Sequence, residues 1–441
     1  MNIVEAYRKK LAISEKVYSA ANNGSAMPQV KKIAIARVLA NTSEYLNEAF
    51  ENSVGTQLSD MGTYKKFCLD LTTVALPSLI ANDLVIVYPM KSRTGYVQYL
   101  KFQAGTNKGG VAQGDLFNSV FGLGKMTDER VAYTSAFVPE TVEVDGEGMA
   151  TLSWAPVRDV KLVGEESGAT VEIVDAELGK IKVTGAASTT VKVGYIYDNV
   201  KIPQNEVPQI TARNEGIALT AHARRIAIYY SQMAAFQAKT EMGIDIGEAL
   251  ATQACSELSY EIDSEVVKLL ADSAEKFDDL TFNKRLPVGV SKRDHYAAFA
   301  EILELASQHI YDATGKFGAS YVIVASNIKP LLVMMEGFKA TTGAKAGPYL
   351  AGTLNGLKVF VSPALKPGAF VAGYNGGDLY TSAAIYAPYM AIVPTQLLGF
   401  ADGSMSQGFS TLYDLQLLNK GLLAAGEVVD DDFTSGTIAT V

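Results

Sequence analysis

The sequence predicts an α+β fold built from several domains, and three features of its patterning predict it. Helical periodicity fills most of the first 60 residues and returns from about residue 243 to 313. Six short alternating runs crowd the interval from Thr141 to Tyr197. The run Gly352–Met390 is a series of short apolar strands broken by turn formers. At 441 residues the chain has room for about two to four domains with cores of their own. Its 48% hydrophobic and 19% charged residues exclude wholesale disorder. A net charge of −9 argues against a protein that grips phosphates, and suits a surface that lies beside DNA without sticking to it.

Taken in order, residues 1 to about 60 read as amphipathic helix in pieces, with Met27–Asn52 the longest. They are charged and lack a convincing core, so they are expected to pack on the body of the chain or on a neighbour. The opening residues MNIVEAYRKKLAISEKV lack the apolar centre of a signal peptide. A further helix is expected over Tyr64–Ile80. Asp83–Phe102 reads as a local hairpin, two β-rich runs flanking Pro89–Gly95, and its second run has two unlike faces. Lys91, Arg93, Lys101 and Lys108 make this stretch basic within an acidic protein. A solvated face and an arm that docks on an acidic patch of another subunit both account for that. Glycines then loosen Gly105–Gly124.

The six runs Thr141–Val144, Met149–Ser153, Val157–Val163, Thr170–Val174, Lys180–Thr184 and Thr190–Tyr197 predict a small inserted β-sandwich or barrel, with Trp154 in its core. After Pro208 the chain is expected to turn helical. Within Gly243–Lys268 and just beyond, the row Ile246, Leu250, Ala254, Leu258, Ile262, Val266, Leu270 steps by four. On a helix of 3.6 residues per turn that stripe drifts about 40° per step, so its two ends meet different neighbours. The helix is a spine on the order of 40 Å long. Arg293–Ala313 is a second helix ended by Gly315; Tyr321–Ala325 is a buried strand; Ser326 is expected to cap a helix over Asn327–Phe338 with Pro330 in its first turn. Leu357–Val361, Phe370–Gly373 and Ala383–Met390 are strands, with an Asn375-Gly376-Gly377 turn between the last two. The uncharged run Leu379–Ala401 is interrupted by Pro388 and Pro394 and reads as buried strands rather than a membrane span.

No pattern of chemistry emerges. His222, His295 and His309 have no metal-ligand spacing, and Cys68 and Cys255 read as small buried apolar residues. Gly122-Leu123-Gly124-Lys125 misses a phosphate loop, since Ser119 stands at the first glycine and Met126 at the hydroxyl position. Glu165-Glu166, Asp278-Asp279 and Asp430-Asp431-Asp432 are simplest as solvated charges, without an EF-hand spacing for calcium. No cofactor, metal or catalytic residue is expected.

LNG-x-KVFVSP from Leu354, F-x-x-GY-x-G from Phe370 and Y-x-APY from Tyr386, in that order, resemble the axial domain of major capsid proteins of T-even-type tailed phages. Ala81–Val85 through Tyr88-Pro89-Met90 and Thr94-Gly95, Ile210–Arg213 through Glu265-Val266-Val267, and Val324-Ala325-Ser326 before Leu331 are similar to further parts of that family. The resemblance implies an N-terminal arm and helices (1–80), an extended β-hairpin arm, the family's E-loop (81–130), and an inserted small β domain (131–200). It further implies a peripheral domain with a spine helix (201–320), an axial domain (321–395) and a return to the peripheral domain (396–441). The implied function is a coat protein that self-assembles into hexamers and pentamers of an icosahedral head enclosing DNA, with no membrane role. Portal, scaffolding and decoration proteins are the implied partners, and assembly in the host bacterial cytoplasm follows. Lys91, Arg93, Tyr96 and Lys101 are expected in arm-to-neighbour contacts, and Asn375, Tyr386, Pro388 and Tyr389 near the ring axis or as structural members of that sheet. Leu46-Asn47-Glu48 before Ala49 fits the family's preference for maturation cleavage after Glu, and some relatives form Lys–Asn cross-links. An encapsulin-like compartment, which is shorter and usually lacks such an insertion, and a phage or bacterial surface protein are the alternatives.

Overall fold

The computed structural model describes residues 3–21, 24–51, 69–70, 72–108, 111–114, 133, 135–163, 169–185, 190–198, 207–243, 246–287, 289–335, 337–341, 347–395 and 398–430. The chain divides into two compact units, Met1–Val97 with Gly216–Val441, and Gln98–Glu215.

In the first unit a seven-stranded mixed sheet runs Glu275–Asn283, Leu423–Val429, Ala369–Gly373, Tyr321–Ala325, Leu357–Ser362, Tyr349–Leu354, Phe338–Ala340. Its central strand Tyr321–Ala325 is buried at every position, as an uninterrupted apolar run flanked on both edges and both faces requires. Ile323 stands opposite Phe360 in the parallel neighbour and Val371 in the antiparallel one. Tyr349–Leu354 and Leu357–Ser362 are joined by Asn355-Gly356, both with positive φ (48° and 92°), the two-residue hairpin turn whose twist matches that of the strands. The helix Phe299–Thr314 buries Phe299, Leu303, Ala306, Ile310 and Thr314, a 3–4 spacing that keeps one stripe inward, and ends where Gly315 turns left-handed at φ 71°.

The same unit holds a second, five-stranded sheet, ordered Ile86–Val87, Ala384–Pro394, Ser404–Leu417, His222–Ser231, with Leu398–Gly399 paired to Ser404–Leu417. The spine helix Ile246–Ser273 joins two cores. Ala251, Ala254, Cys255 and Leu258 pack with Ile228, Ile392 and Phe409. Ile262, Val266, Val267 and Leu270 belong instead to the main core with the seven-stranded sheet. The drift of the stripe thus does what its spacing predicts. The N-terminal helices Arg8–Ala21 and Gln29–Glu51 contribute Leu11, Tyr18, Ile35, Val38 and Leu39 to that main core.

In the second unit two three-stranded sheets, Phe137–Glu143, Thr190–Tyr197, Val157–Leu162 and Met149–Thr151, Lys180–Thr184, Thr170–Asp175, enclose a separate core around Ile181, Val193, Tyr195 and Trp154. Five of the six strands begin where alternation places them, and the first begins at Phe137, four residues ahead of the expected Thr141.

Four expectations are corrected. Asp83–Phe102 is no local hairpin: Ile86–Val87 pairs in parallel with Ile385 and Tyr386, and Thr94–Ala104 forms its two-stranded ribbon with Ile210–Thr220. The ladder of the 86–90 run continues through Tyr88 and Met90, whose N–H groups donate to Tyr386 and Pro388, so this run is already committed. After Pro208 the chain forms strands Ile210–Thr220 and His222–Ser231 before any helix, because Ile226 and Ile228 alternate with exposed residues at period two. Arg293–Ala313 is two helices, Lys292–Ala297 and Phe299–Thr314, meeting at Ala298. Ser326 caps nothing: Ile328 N–H closes a turn on Ala325 O, so the helix Lys329–Val333 starts later, with Ile328 as its N-cap. In addition, Ala384–Pro394 lies in a different sheet from Tyr321–Gly373. Cys68, Gly122–Lys125, Glu165-Glu166 and Asp431-Asp432 lie outside the described residues.

Candidate assembly surfaces

The ribbon of Thr94–Ala104 and Ile210–Thr220 is written with alternating faces. Val97 and Tyr99 point inward, while Tyr96, Leu100 and Phe102 are exposed. Gly216 makes room for Tyr96, since any Cβ there would collide with its ring and with Val97 O, yet the tyrosine remains 60% exposed. At the ribbon's base Ala221 N–H donates to Arg93 O at 2.8 Å and Arg93 Nε donates to Ala221 O at 3.4 Å. Toward the other end Gly105 N–H donates to Gln209 O at 2.7 Å. Lys91 and Arg93 are exposed, Arg213 stands 3.4 Å from Glu215, and Lys101 lies on the strand, its side chain outside the described part.

Lys108 does not share that surface. It is buried, and its Nζ donates to Tyr133 O (3.0 Å), Ser135 O (2.6 Å) and the Tyr197 hydroxyl (2.6 Å), over the rings of Tyr197 and Trp154. Burial pushes its ammonium down to about 8. The carbonyls and ring faces replace the water that it lost.

The residues expected near the ring axis make contacts within the chain. Tyr386 is fully buried with its ring 5.6 Å from that of Tyr413, and burial pushes its hydroxyl far up. Pro388 is buried and its carbonyl accepts from Met90 N–H. The carbonyl of half-buried Tyr389 accepts from Asn41 Nδ2 at 3.0 Å, while the same Nδ2 donates to Met90 O at 2.7 Å. Asn41, which the sequence does not single out, therefore ties helix Gln29–Glu51 to two β segments. Asn375 donates from Nδ2 to Asp83 O and from its N–H to Ser320 Oγ, both at 3.0 Å. Asp83 is itself a hub: Lys31 Nζ (2.8 Å) and the Tyr18 hydroxyl (3.3 Å) donate to its carboxylate, and Lys358 lies 3.6 Å away. Burial first, then the Asp83 charge, pushes Tyr18 up to about 12.

Two further groups were invisible in the sequence. Asp263, midway along the spine helix, is buried, accepts from Ala81 N–H at 3.0 Å, and is pushed up to about 7, chiefly by burial. Glu265 accepts from both Arg224 and the Tyr413 hydroxyl, bridging the spine helix to the five-stranded sheet. Two of the three histidines are held by the fold: His309 stacks on Phe277 and bonds Asp279, and His295 meets Asn283 O at 2.8 Å. Among the described residues no group of three or more His, Cys, Asp or Glu converges on a metal-sized site, and no helix is long and apolar enough to cross a membrane.

The described polar clusters thus tie elements of the chain to one another, and the ribbon strand Thr94–Ala104 carries Tyr96, Leu100 and Phe102 exposed on one face. Comparison with known proteins agrees with such a building block. The sequence model of the family described as major capsid protein Gp23 matches residues 61–434. The chain belongs to the Gp23 major capsid protein family. It is 24% identical over 392 residues to the major capsid protein of Enterobacteria phage T4, covering 77% of this chain and 73% of that one. It is 22% identical over 384 residues to the major capsid protein of Vibrio phage KVP40, covering 78% and 74%. Among solved structures, a chain of Mycobacterium phage Bobi superposes with a TM-score of 0.41 at 9% identity, over 80% of this chain and 90% of that one. As a major capsid protein the chain is a structural component of the phage head that associates with itself to form the shell. Family membership favours this over the compartment and surface-protein alternatives.

Proposed function

We propose that this coat protein tiles the head as hexamers and pentamers, with the ribbon as the arm by which one copy reaches the next. The observation that carries the reading, beside the family match, is the ribbon's exposed face of Tyr96, Leu100 and Phe102 flanked by Lys91 and Arg93. Large apolar groups held in solvent along one face of a ribbon are suited to burial against a partner. Lys91, Arg93, Tyr96 and Lys101 make the arm contacts. The strands of Tyr321–Gly373 form the part that meets at the ring axis, with the Asn375–Gly377 turn beside them. Tyr386, Pro388 and Tyr389 act from within, by holding the five-stranded sheet rigid. The inserted sandwich is an accessory patch on the shell.

The protein carries no catalytic activity in this reading. Its net charge of −9 leaves packaged DNA enclosed and not bound in a sequence-specific way. Portal, scaffolding and decoration proteins complete the head, which assembles in the host bacterial cytoplasm. Heterologous contacts repeated around a ring close it, and curvature between rings closes the shell. Electron microscopy of the purified protein alone tests the tiling: closed shells, tubes or six-membered rings are expected, and a uniform population of monomers at high concentration refutes it.

A further inference from the structure

The strand His222–Ser231 ends one side of the five-stranded sheet, and its outer edge is open among the described residues. It pairs with Ser404–Leu417 over all ten of its positions, with no register shift. Gln232 N–H donates to Gly403 O at 3.0 Å, which fixes the phase of that ladder. Neighbouring residues of a strand turn their N–H and C=O groups to opposite edges. The even-numbered residues therefore bond inward, and Ala223, Arg225, Ala227 and Tyr229 turn theirs outward. The preceding strand Ile210–Thr220 has Thr94–Ala104 on that outer side, a pairing that stops where Ala221 N–H meets Arg93 O. From Ala223 on, no strand of the described chain takes it up, and all four outward residues are exposed.

The other edges of the two large sheets are blunted. Ile86–Val87 and Leu398–Gly399 have two residues each and Phe338–Ala340 has three, while Glu275–Asn283 is charged and bulged between Lys276 and Thr281. A regular ten-residue edge without proline, lysine or bulge is a template for another strand. Its own sequence fits it to itself. Residues 224–230 read Arg-Arg-Ile-Ala-Ile-Tyr-Tyr, with two cations before the central Ala227, two aromatics after it and an isoleucine on either flank. We propose that this strand pairs antiparallel with the same strand of a second copy, about a twofold axis at Ala227; this rests on the shell reading and adds a contact between rings to those within a ring. In that register Arg225 of each copy stands opposite Tyr229 of the other, a cation against an aromatic ring on the exposed face. Ile226 stands opposite Ile228 on the other face, and Ala227 meets its own copy, where a small side chain keeps the axis clear. Parallel pairing in register would set arginine against arginine, and an antiparallel slip loses the Arg225–Tyr229 match. Because the same surface serves both copies, the contact closes on a pair and does not propagate around a ring.

The test is a single cysteine at the axis, in a background with Cys68→Ser and Cys255→Ala. Opposed residues of a hydrogen-bonded antiparallel pair have Cα atoms about 5.5 Å apart, within reach of a disulfide. Particles assembled from Ala227→Cys protein and then oxidised should run at twice the chain mass on a non-reducing gel. Ala223→Cys, about 26 Å from its own copy in this register, should stay at the single mass. Independently, Ala227→Pro in the natural cysteine background removes an outward N–H and no inward one, at the kind of edge position that tolerates proline. It should cut the yield of closed shells about tenfold while the circular dichroism of the free chain stays that of the parent. Where that variant loses its fold, the cysteine pair decides. Particles in which Ala227→Cys stays at the single mass, linking of Ala223→Cys to the same extent, or a full yield of shells from folded Ala227→Pro each overturn the inference and leave the shell reading standing. Unmutated protein that forms no particle at all removes the shell reading, and the inference with it.

Discussion

Asp263 offers the sharpest test of how the spine helix is held. Its carboxylate is buried and accepts the Ala81 N–H at 3.0 Å. Burial, reinforced by the charge of Asp83, raises it from 3.8 to about 7 against the opposing pull of the backbone donors. An acid whose pKa is higher in the folded state than in the unfolded chain binds its proton more tightly when folded. Its contribution is therefore fully present below about pH 4 and is lost as pH rises toward 7. Roughly three units at about 1.4 kcal/mol each amount to about 4 kcal/mol over that window. Asp263→Asn removes the titration and keeps a carbonyl oxygen for Ala81. Urea unfolding of the two proteins at pH 4.5, 6, 7 and 8, on dilute unassembled chain, reads the difference directly. The variant should gain on the parent by about 3 kcal/mol between pH 4.5 and pH 8, the gain levelling off above pH 7. Every other titrating group is common to both proteins and cancels. A difference that stays flat with pH refutes the assignment of a strained, buried acid at this point of the helix.

Other outcomes follow from the same contacts. Lys108→Met leaves Tyr133 O, Ser135 O and the Tyr197 hydroxyl without their donor, and should destabilise the sandwich by about 1–3 kcal/mol. Trp154, the one tryptophan, reports this in a fluorescence melt. Asn41→Ala removes two bonds that hold helix Gln29–Glu51 to the sheet, at a cost of about 1–3 kcal/mol, and should speed proteolysis within residues 24–51. Leu303→Ala opens a cavity between helix Phe299–Thr314 and the main core and should cost about 2–5 kcal/mol by denaturant unfolding.

Much of the fold was legible because it is local. Period-two alternation gave every strand of the sandwich, and the four-residue step of the spine helix gave its two separate cores. The resemblance carried by Leu354-Asn355-Gly356 has a plain physical basis, since Asn-Gly supplies both positive φ values of a tight hairpin. What sequence reasoning missed was long-range. The partner of Thr94–Ala104 lies beyond the whole insertion, and nothing in a run of β-formers says which distant run completes it. Hence the nearer candidate, Ile86–Val87, was misassigned. Lys108 looked like one more surface charge because its three acceptors come from elsewhere in the chain.

The insertion also bears on how the chain folds. Phe137 and Ile196 stand opposite each other in adjacent strands, so the sandwich takes in chain and returns it at nearly the same point. Once it has folded on its own core, the loop that must close to join Thr94–Ala104 to Ile210–Thr220 is roughly halved, which lowers the entropic cost of closure by about 0.6 kcal/mol. Order of events matters more than that sum. The sandwich is rich in near-neighbour pairings and is placed to form early, whereas the ribbon is a distant pairing that must wait. During that wait the edges of both ribbon strands are bare and open to the wrong partner. An insertion with a core of its own thus also shortens the closure that the ribbon needs.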